Sequence, residues 1–474
     1  MSQVIQPYTS LKSPGVRPAP ISALPTEVLK EIFKTYAECN PMDLEYGAVA
    51  LCLVEKYWKA VATATPQLWD NINFSSPFTP GHLARMLVRV RTSKPQKIDV
   101  FIDLRHPDED HEEFDEHEAH RHRAKQSIWV QGIVAVLEGT EERWRSIKVV
   151  SNTWLPLYKL MDHWTFTHLP SLESISMERA NRIFGMRDLP FDPQELIEPM
   201  TLFGPSASVP NLRELSMSAV HVDWDDASVC FQNLRKLELQ NQTHDAGPSF
   251  EEFAAILSSS PRLEYLDVSG FCPEHHTDPP AGGAPGPGGP VVHLPALKDS
   301  IFGWKDVRRG RLFLRMFQIG GSLERLTLMD TESGLGNWTD GGHWSEESQI
   351  IFETLYELGS AAPRNEEDMP SKPFISMRGV KRLGIAWTEA TRFSLTPFLE
   401  MLTEVEDIWL EDVDRNVLES VTWVRAAVGR ATVSRPLRLD LRWTWDGEVP
   451  DFAGPFILQM KDMGAEVTVR VSQE

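Results

Sequence analysis

The sequence predicts a multidomain protein in which a small all-helical unit precedes an α/β repeat solenoid, a curved parallel sheet with helices on its outer side. Three observations predict this fold class. The chain has 474 residues, roughly three times a typical domain of about 150 residues, which favours several domains or stacked repeats. Hydrophobic residues make up 41% and charged residues 24% of it, the balance of a folded protein. A helical period near the start gives way, beyond residue 80, to a short apolar pattern that returns eight times.

The helical unit is expected over residues 21–75, after a flexible, proline-bearing leader of residues 1–20. Its first helix starts near Pro25, where a missing N–H costs nothing, and Asn40 and Pro41 end it. The apolar residues of this helix follow three- and four-residue spacings: Leu24, Val28, Leu29, Ile32, Phe33 and Tyr36. A second helical segment runs up to Pro66 and places four apolar residues along one face: Leu51, Val54, Trp58 and Val61. So short a unit has a small core, and we expect it to pack on a neighbour or a partner.

The repeat occupies residues 76–474, where an apolar residue is followed by others three and five positions later. Its eight matches are WRSIKV, LESISM, LRELSM, LRKLEL, LEYLDV, LERLTL, VKRLGI and VEDIWL, which begin at Trp144, Leu172, Leu212, Leu234, Leu263, Leu323, Val380 and Val405. The last two apolar residues of each match alternate as the inward side chains of a short strand. Such strands cannot bury these residues alone, so they stack into a continuous parallel sheet.

Helices are predicted between the strands, over 127–139, 250–260, 348–360 and 395–405. A strand and a helix every 20–30 residues are typical of a leucine-rich-repeat-like solenoid, here a degenerate one because the match spacing varies from 22 to 60 residues. Further strands are predicted at 98–104 and at 465–471, the latter closing the far end. Two insertions, near 106–125 and 273–290, are expected to be disordered because they are rich in acidic and histidine residues and in Pro and Gly, respectively.

Several classes of function are disfavoured. The net charge of −21 opposes general binding to nucleic acids or anionic membranes. No signal peptide or membrane-spanning run is evident, so we expect a soluble intracellular protein of the cytoplasm, the nucleus or both. The four cysteines show no metal-binding or nucleophile spacing, and no catalytic, cofactor-binding or metal-binding residues are predicted. Tryptophans in loops after strands, such as Trp224 and Trp338, are instead candidate anchors for a protein partner.

The histidine and acidic residues of 106–122 leave one enzymatic alternative open, a metal-dependent hydrolase. His117 and His120 are three residues apart, and His106, His111 and His122 lie nearby in the sequence. However, Asp115 stands where an H-E-x-x-H motif starting at His111 needs its second histidine. A solvated surface loop explains the cluster more simply.

The N-terminal unit resembles an F-box. The residues that match the family follow its order: Leu24-Pro25-x-Glu27-Val28-Leu29-x-x-Ile32-Phe33, then Leu53-Val54-x-Lys56-x-Trp58, then Pro66-x-Leu68-Trp69. The match covers about 50 residues, and Glu55 stands where the family often has Cys. Combined with the degenerate leucine-rich array, it is similar to the F-box proteins abundant in mushroom-forming fungi.

The resemblance implies a substrate adaptor of a cullin-type ubiquitin ligase, which is not an enzyme itself. The F-box would dock on a Skp-type adaptor joined to a cullin scaffold, and the repeat domain would hold a protein substrate on the concave face of its sheet. The residues carried over for adaptor contact or F-box packing are Leu24, Pro25, Ile32, Phe33, Val54 and Trp58. A repeat scaffold without a ligase role is the alternative, in which these residues only pack against the first repeat.

Overall fold

The computed structural model describes most of the solenoid and the helical unit. The described residues are 21, 24–39, 44–75, 78–105, 116–164, 168–180, 191, 196–202, 209–225, 231–243, 245–271, 273, 291–321, 323–331, 348–362, 373–388, 390–428, 437–443 and 449–471. The 273–290 insertion, residues 106–115 and Trp338 therefore lie outside the description, apart from residue 273.

The described residues contain twelve α-helices. In chain order they are α1 Thr26–Cys39, α2 Leu44–Val54, α3 Lys56–Thr63, α4 Pro80–Thr92, α5 Glu116–Leu137, α6 Trp154–Trp164, α7 Phe250–Ser258, α8 Val307–Leu314, α9 Ser348–Ser360, α10 Arg392–Glu400, α11 Arg415–Val428 and α12 Ala453–Asp462.

Sixteen strands are described. They are β1 Asn71–Ser75, β2 Ile98–Asp103, β3 Trp144–Ser151, β4 Ser174–Arg179, β5 Glu214–Ser218, β6 Lys236–Gln240, β7 Tyr265–Ser269, β8 Val292–His293, β9 Asp299–Trp304, β10 Phe317–Ile319, β11 Arg325–Asp330, β12 Phe374–Ile375, β13 Arg382–Ala386, β14 Asp407–Glu411, β15 Arg438–Trp443 and β16 Glu466–Val471.

Thirteen of these strands form one parallel sheet in which the spatial order follows the chain order, β1-β2-β3-β4-β5-β6-β7-β9-β11-β13-β14-β15-β16. A second, three-stranded parallel sheet has the order β12-β10-β8, and each of its strands precedes a strand of the large sheet in the chain. Because each strand of the large sheet pairs with the strand of that sheet that follows it in the chain, the architecture is an α/β solenoid-like fold, as the repeat predicts.

All eight matches to the repeat pattern lie on strands of the large sheet, β3 to β7, β11, β13 and β14. Their inward residues stack in register: Ile147 pairs with Ile175, which pairs with Leu215, and each is at most 3% exposed. Helices α4 to α12 pack against these residues and form one continuous hydrophobic core with them. The other side chains of the strands, between the inward ones, form the open face of the sheet.

The predicted strands leave out three strands of the large sheet, β1, β9 and β15. In β1, Ile72 and Phe74 are buried inward residues, and with Trp69 they fit the same three- and five-residue spacing. In β9, the inward position between Leu266 and Leu326 holds Ser300, which is fully buried and breaks the apolar pattern. β1 also lies inside the 21–75 range of the helical unit, yet it begins the large sheet by pairing with β2.

Three predicted helical segments differ from the structure. Helix α10 covers Arg392–Glu400, where the sequence predicted 395–405. The second helical segment is two helices, α2 and α3, because Glu55 between them is extended, with φ −160° and ψ 165°. Helix α5 begins at Glu116, inside the 106–125 insertion and eleven residues before the predicted start of 127. Residues 116–125 were wrongly expected to be disordered: Glu, Ala, Arg and Lys, which favour helices, make up most of this stretch and extend the apolar helix towards the N-terminus.

Candidate docking surfaces

The helical unit has a small core of its own, separate from the core of the solenoid. On α1, Leu29 and Phe33 are one helical turn apart and fully buried, and they pack on residues of α2 and α3 such as Leu51 and Val61. The Trp58 ring lies 5.1 Å from the Phe33 ring and completes this core from α3. One apolar row of α1, formed by Leu29 and Phe33, is therefore buried in the core of the helical unit.

A second apolar row of α1 stays outside. Val28, Ile32 and Tyr36 are spaced by four residues and lie on one face of the helix, and they are 44%, 40% and 39% exposed. A helix of a soluble unit ordinarily turns its polar residues outward. Thus α1 carries more apolar surface than the core of the unit covers.

The break at Glu55 exposes two further apolar residues at the end of α2. Leu53 is 79% exposed and Val54 is 60% exposed. The sequence predicted Leu51, Val54 and Val61 along one face of a continuous helix, and this was wrong because the helix ends at Val54. The extended residue Glu55 rotates α3 relative to α2, so Val61 packs in the core from α3 whereas Val54, the last residue of α2, is exposed.

The end of α2 lies close to the start of α1, whereas Tyr36 lies near the other end of α1, beside Gly47 in α2. The Tyr57 hydroxyl is 3.0 Å from Thr26 Oγ1, and it also donates to the Leu24 carbonyl oxygen at 3.4 Å. The end of α2 and the start of α3 are therefore held beside the start of α1. We call the exposed apolar residues along α1 and at the break between α2 and α3 the apolar patch: Pro25, Val28, Ile32, Tyr36, Leu53, Val54 and Tyr57.

The six residues carried over from the F-box resemblance divide into three groups by their exposure. Pro25, Ile32 and Val54 are exposed and belong to the apolar patch, whereas Phe33 is buried and packs within the unit. Leu24 and Trp58 are half-buried. The exposed residues Pro25, Ile32 and Val54 can therefore contact a partner, whereas Phe33 is part of the core of the helical unit.

Sequence reasoning missed four patch residues as contact candidates: Val28, Tyr36, Leu53 and Tyr57. The signal for the first two was present, because apolar residues at both 28 and 29, and again at 32 and 33, make a stripe wider than one small core needs. Nothing in the spacing predicts Leu53, whose exposure depends on where α2 ends.

The helical unit joins the solenoid through a buried arginine of α4. Arg89 Nε donates to the Asn71 carbonyl oxygen at 3.0 Å, and its Nη2 lies 3.4 Å from the Leu68 carbonyl oxygen. Its guanidinium also lies 5.5 Å from the centre of the Trp69 ring. The Trp69 indole N–H in turn donates to the Ala62 carbonyl oxygen in α3 at 2.9 Å. This chain of contacts ties the last turns of the helical unit to the first strand.

The open face of the large sheet is the second candidate surface. Its middle row runs in register across eleven strands: Lys148, Ser176, Ser216, Glu238, Asp267, Ile301, Thr327, Gly384, Trp409, Asp440 and Thr468. This row changes character along the solenoid, from small polar residues to carboxylates and then to an aromatic ring.

Acidic residues dominate the open face at its centre. From β4 to β7 it carries Glu178, Glu214, Glu238 and Asp267 against Lys236, whose ammonium lies 2.9 Å from a Glu238 carboxylate oxygen. Burial raises the pKa of Asp267 to about 6, although hydrogen bonds from Gln240 and Ser269 oppose the rise. The neighbouring carboxylate of Glu238 raises it further.

Towards the C-terminus, the open face alternates in charge. Arg325 Nη1 lies 2.7 Å from Asp299 Oδ2, and Asp407 lies between Arg382 and Arg438, with Nε atoms at 3.6 and 2.5 Å. Such cross-strand pairs contribute little each and help to set the register.

An aromatic ring interrupts this charged region. The Trp409 indole ring lies over Gly384, where a Cβ atom would be 2.6 Å from Trp409 Cε3, and the Arg442 guanidinium lies 5.1 Å from the ring centre. Gly384 is therefore required for the ring to lie flat on the sheet.

The other candidates from the sequence have different outcomes. Trp224 is buried, and its indole N–H donates to the Ala246 carbonyl oxygen at 2.8 Å, so it is a packing residue and not a partner anchor. The side chains of His106, His111, His117, His120 and His122 lie outside the described residues. Elsewhere in the described part of the chain, no group of three or more histidine, cysteine or acidic side chains is placed to hold a metal ion.

No helix in the described ranges is both long enough and apolar enough to cross a membrane. Comparison of the chain with protein-family models and with curated proteins finds no match.

Proposed function

We propose that the chain is a non-catalytic substrate-recognition adaptor of a cullin-type ubiquitin ligase, acting in the cytoplasm or nucleus. The helical unit docks on a Skp-type adaptor, and the open face of the solenoid binds a protein substrate. A ligase of this kind accelerates transfer by holding the substrate close to the ubiquitin-charged enzyme, so no acid or base of this chain is needed.

The observation that carries the proposal is the apolar patch on a unit that already has its own core. Contiguous exposed apolar residues rimmed by polar ones mark sites of protein interaction. Here, the patch includes Pro25, Ile32 and Val54, residues at which the F-box resemblance implies adaptor contact or F-box packing, and their exposure favours contact. The patch is also free of the solenoid core, whose apolar residues form a separate cluster.

The open face supports the second half of the proposal. An extended sheet surface on which no helix of the described residues packs offers a long polar platform, and repeat proteins use such surfaces for binding. Its polar, charged and aromatic side chains vary from strand to strand, which suits recognition of one particular protein segment.

The direct test measures binding of the full chain to a purified Skp-type adaptor by isothermal titration calorimetry. The key variant is Val54→Asp, and its matched control is Val88→Asp on α4. Both residues are valines on helices, 60% and 57% exposed, so the two variants are matched in residue type and exposure. We expect Val54→Asp to weaken binding by at least about tenfold, because a carboxylate would be buried unpaired at the interface, and Val88→Asp to leave it unchanged.

Two further variants sharpen the test. Leu53→Asp changes the most exposed patch residue, and the double variant Leu24→Ala, Pro25→Ala changes the start of α1. Circular dichroism checks that each variant is folded. If the folded wild-type chain does not bind the adaptor at about 10 µM, the ligase role is wrong, and a repeat scaffold without that role remains. If it binds and no patch variant weakens binding, the patch is not the docking surface.

A further inference from the structure

The last strand of the large sheet has a neighbour on one side. β16 pairs with β15, and no described residue pairs with its other edge. The Glu466 N–H donates to the Leu437 carbonyl oxygen at 2.8 Å. Alternate residues of a parallel strand turn their backbone groups to the same neighbour, so the N–H and C=O groups of Val467 and Val469 point away from β15. An edge of this kind is a template for another strand.

The side chains of β16 also lack the cover that the preceding strand has. In β15, Leu439 and Leu441 are buried. Their register partners in β16 are less covered: Val467 is half-buried and Val469 is 38% exposed. On α12, which packs on β16, Leu458 is 66% exposed. Apolar side chains and unpaired backbone groups thus coincide at this end of the sheet.

We propose that a second copy of this chain pairs with β16, antiparallel, about a two-fold axis through Thr468. The sheet then continues from one protomer into its partner. The interface is isologous, because the same edge is used by both copies.

Charge complementarity identifies the second copy as the occupant. In this register, Thr468 faces its own equivalent, and Glu466 of one protomer faces Arg470 of its partner in two symmetric pairs. Both charged side chains are exposed on the open face, and Arg470 Nε lies 3.3 Å from Asp440 Oδ1 within its own protomer. Opposite charges directly across a strand pair are favourable, as is a threonine pair.

The backbone selects the same register. Val467 and Val469, whose backbone groups point outward, come to lie opposite each other and exchange hydrogen bonds in two symmetric pairs. Glu466, Thr468 and Arg470 then occupy the non-hydrogen-bonded positions, where side chains approach most closely. A slip of two residues in either direction keeps the backbone bonds and removes both charge pairs. The segment EVTVRV is therefore self-complementary in one register.

The test is the oligomeric state of the full chain, measured by sedimentation equilibrium across a range of protein concentrations. We expect a dimer in the wild type, weakened about tenfold or more by Arg470→Glu and by Glu466→Arg, because each replaces two attractions with two repulsions. Arg262→Glu, an equal charge change at an exposed residue before β7, is the control and leaves the dimer intact. Val469→Pro removes an outward N–H without touching the ladder to β15 and also weakens the dimer.

Mixing the variants is decisive. The Arg470→Glu chain presents two acids and the Glu466→Arg chain two cations, so an equimolar mixture of the two forms a heterodimer although neither forms a homodimer. A wild-type chain that is monomeric at about 100 µM overturns the proposal and leaves this edge to another partner or to none. A dimer that survives both charge reversals and Val469→Pro also overturns it, because the interface then lies elsewhere. This inference does not depend on adaptor binding.

Discussion

Replacement of Asp267 by Asn tests whether the acidic centre of the open face is as buried as the structure shows. The Asp267 side chain is 4% exposed and lies beside Glu238 on the neighbouring strand β6. Gln240 Nε2 donates to Asp267 Oδ2 at 2.6 Å, and the side-chain oxygen of Asn can accept the same hydrogen bond. The substitution therefore removes the titrating group and keeps its shape and its main contact.

The expected change in the free energy of unfolding follows from the pKa of Asp267. Burial raises the pKa of Asp267 from 3.8 to about 6, so the folded chain binds more protons than the unfolded chain between pH 4 and 6. The stability of the wild type then falls as pH rises through this window, and the loss is complete above it. A rise of about two units at about 1.4 kcal/mol per unit corresponds to a loss of about 3 kcal/mol, an upper limit.

The assay compares urea unfolding of the wild type and Asp267→Asn at several pH values from 4 to 8. We expect the free energy of unfolding of the variant, relative to the wild type, to increase by about 2–3 kcal/mol between pH 4 and 6 and then to stay level. Any loss of packing in the variant is the same at every pH. Asp462→Asn, at an exposed residue of α12, is the control. A difference that does not change with pH would show that the carboxylate is solvated and would refute the argument.

Three further predictions concern packing. Phe33→Ala should destabilise the helical unit by about 3–5 kcal/mol, measured as faster hydrogen exchange in α1 to α3 with the sheet unchanged, because its core is separate. Equal acceleration in the sheet would contradict this. Arg89→Met should lower the free energy of unfolding by about 2–3 kcal/mol, because the carbonyl oxygens of Leu68 and Asn71 lose their donor. The segment between the helical unit and the solenoid should then be cleaved faster in limited proteolysis, and an unchanged digestion pattern would contradict this prediction. Gly384→Ala should cost about 1–3 kcal/mol in thermal unfolding, since its Cβ would lie 2.6 Å from the Trp409 ring, whereas Gly454→Ala, where a Cβ meets nothing within 4 Å, should not destabilise.

Most strands of the solenoid were predictable from their apolar inward residues, although β1 and β15 carry such residues and were still missed. Ile175 and Met177, for example, need no distant information, because two apolar residues at alternate positions already define a strand face. β9 was not predictable by the same rule, since Ser300 occupies its inward position and only its neighbours Leu266 and Leu326 identify it. Helix α9 coincides with the predicted range 348–360 because its apolar period is uninterrupted.

The candidate docking surface was predictable in part. The apolar spacing of α1 indicated a partner for the helical unit, yet it did not distinguish Phe33, which is buried, from Ile32, which is exposed. The two are adjacent in sequence and differ only in which side of the helix faces α2 and α3. The end of α2 at Val54 was not predicted, because the extended conformation of Glu55 has no strong local signal.

The sequence by itself determined that the chain is a helical unit followed by a parallel strand array, because periodicity is a local property that each segment carries alone. The tertiary structure alone decided which apolar residues remain exposed, which acidic residue is buried among its neighbours, and which strand edge is left without a partner. These depend on contacts between residues far apart in the chain, such as those of Glu238 with Asp267 and of Glu466 with Leu437. Exposure is a property of the packed whole, and no spacing within one segment contains it.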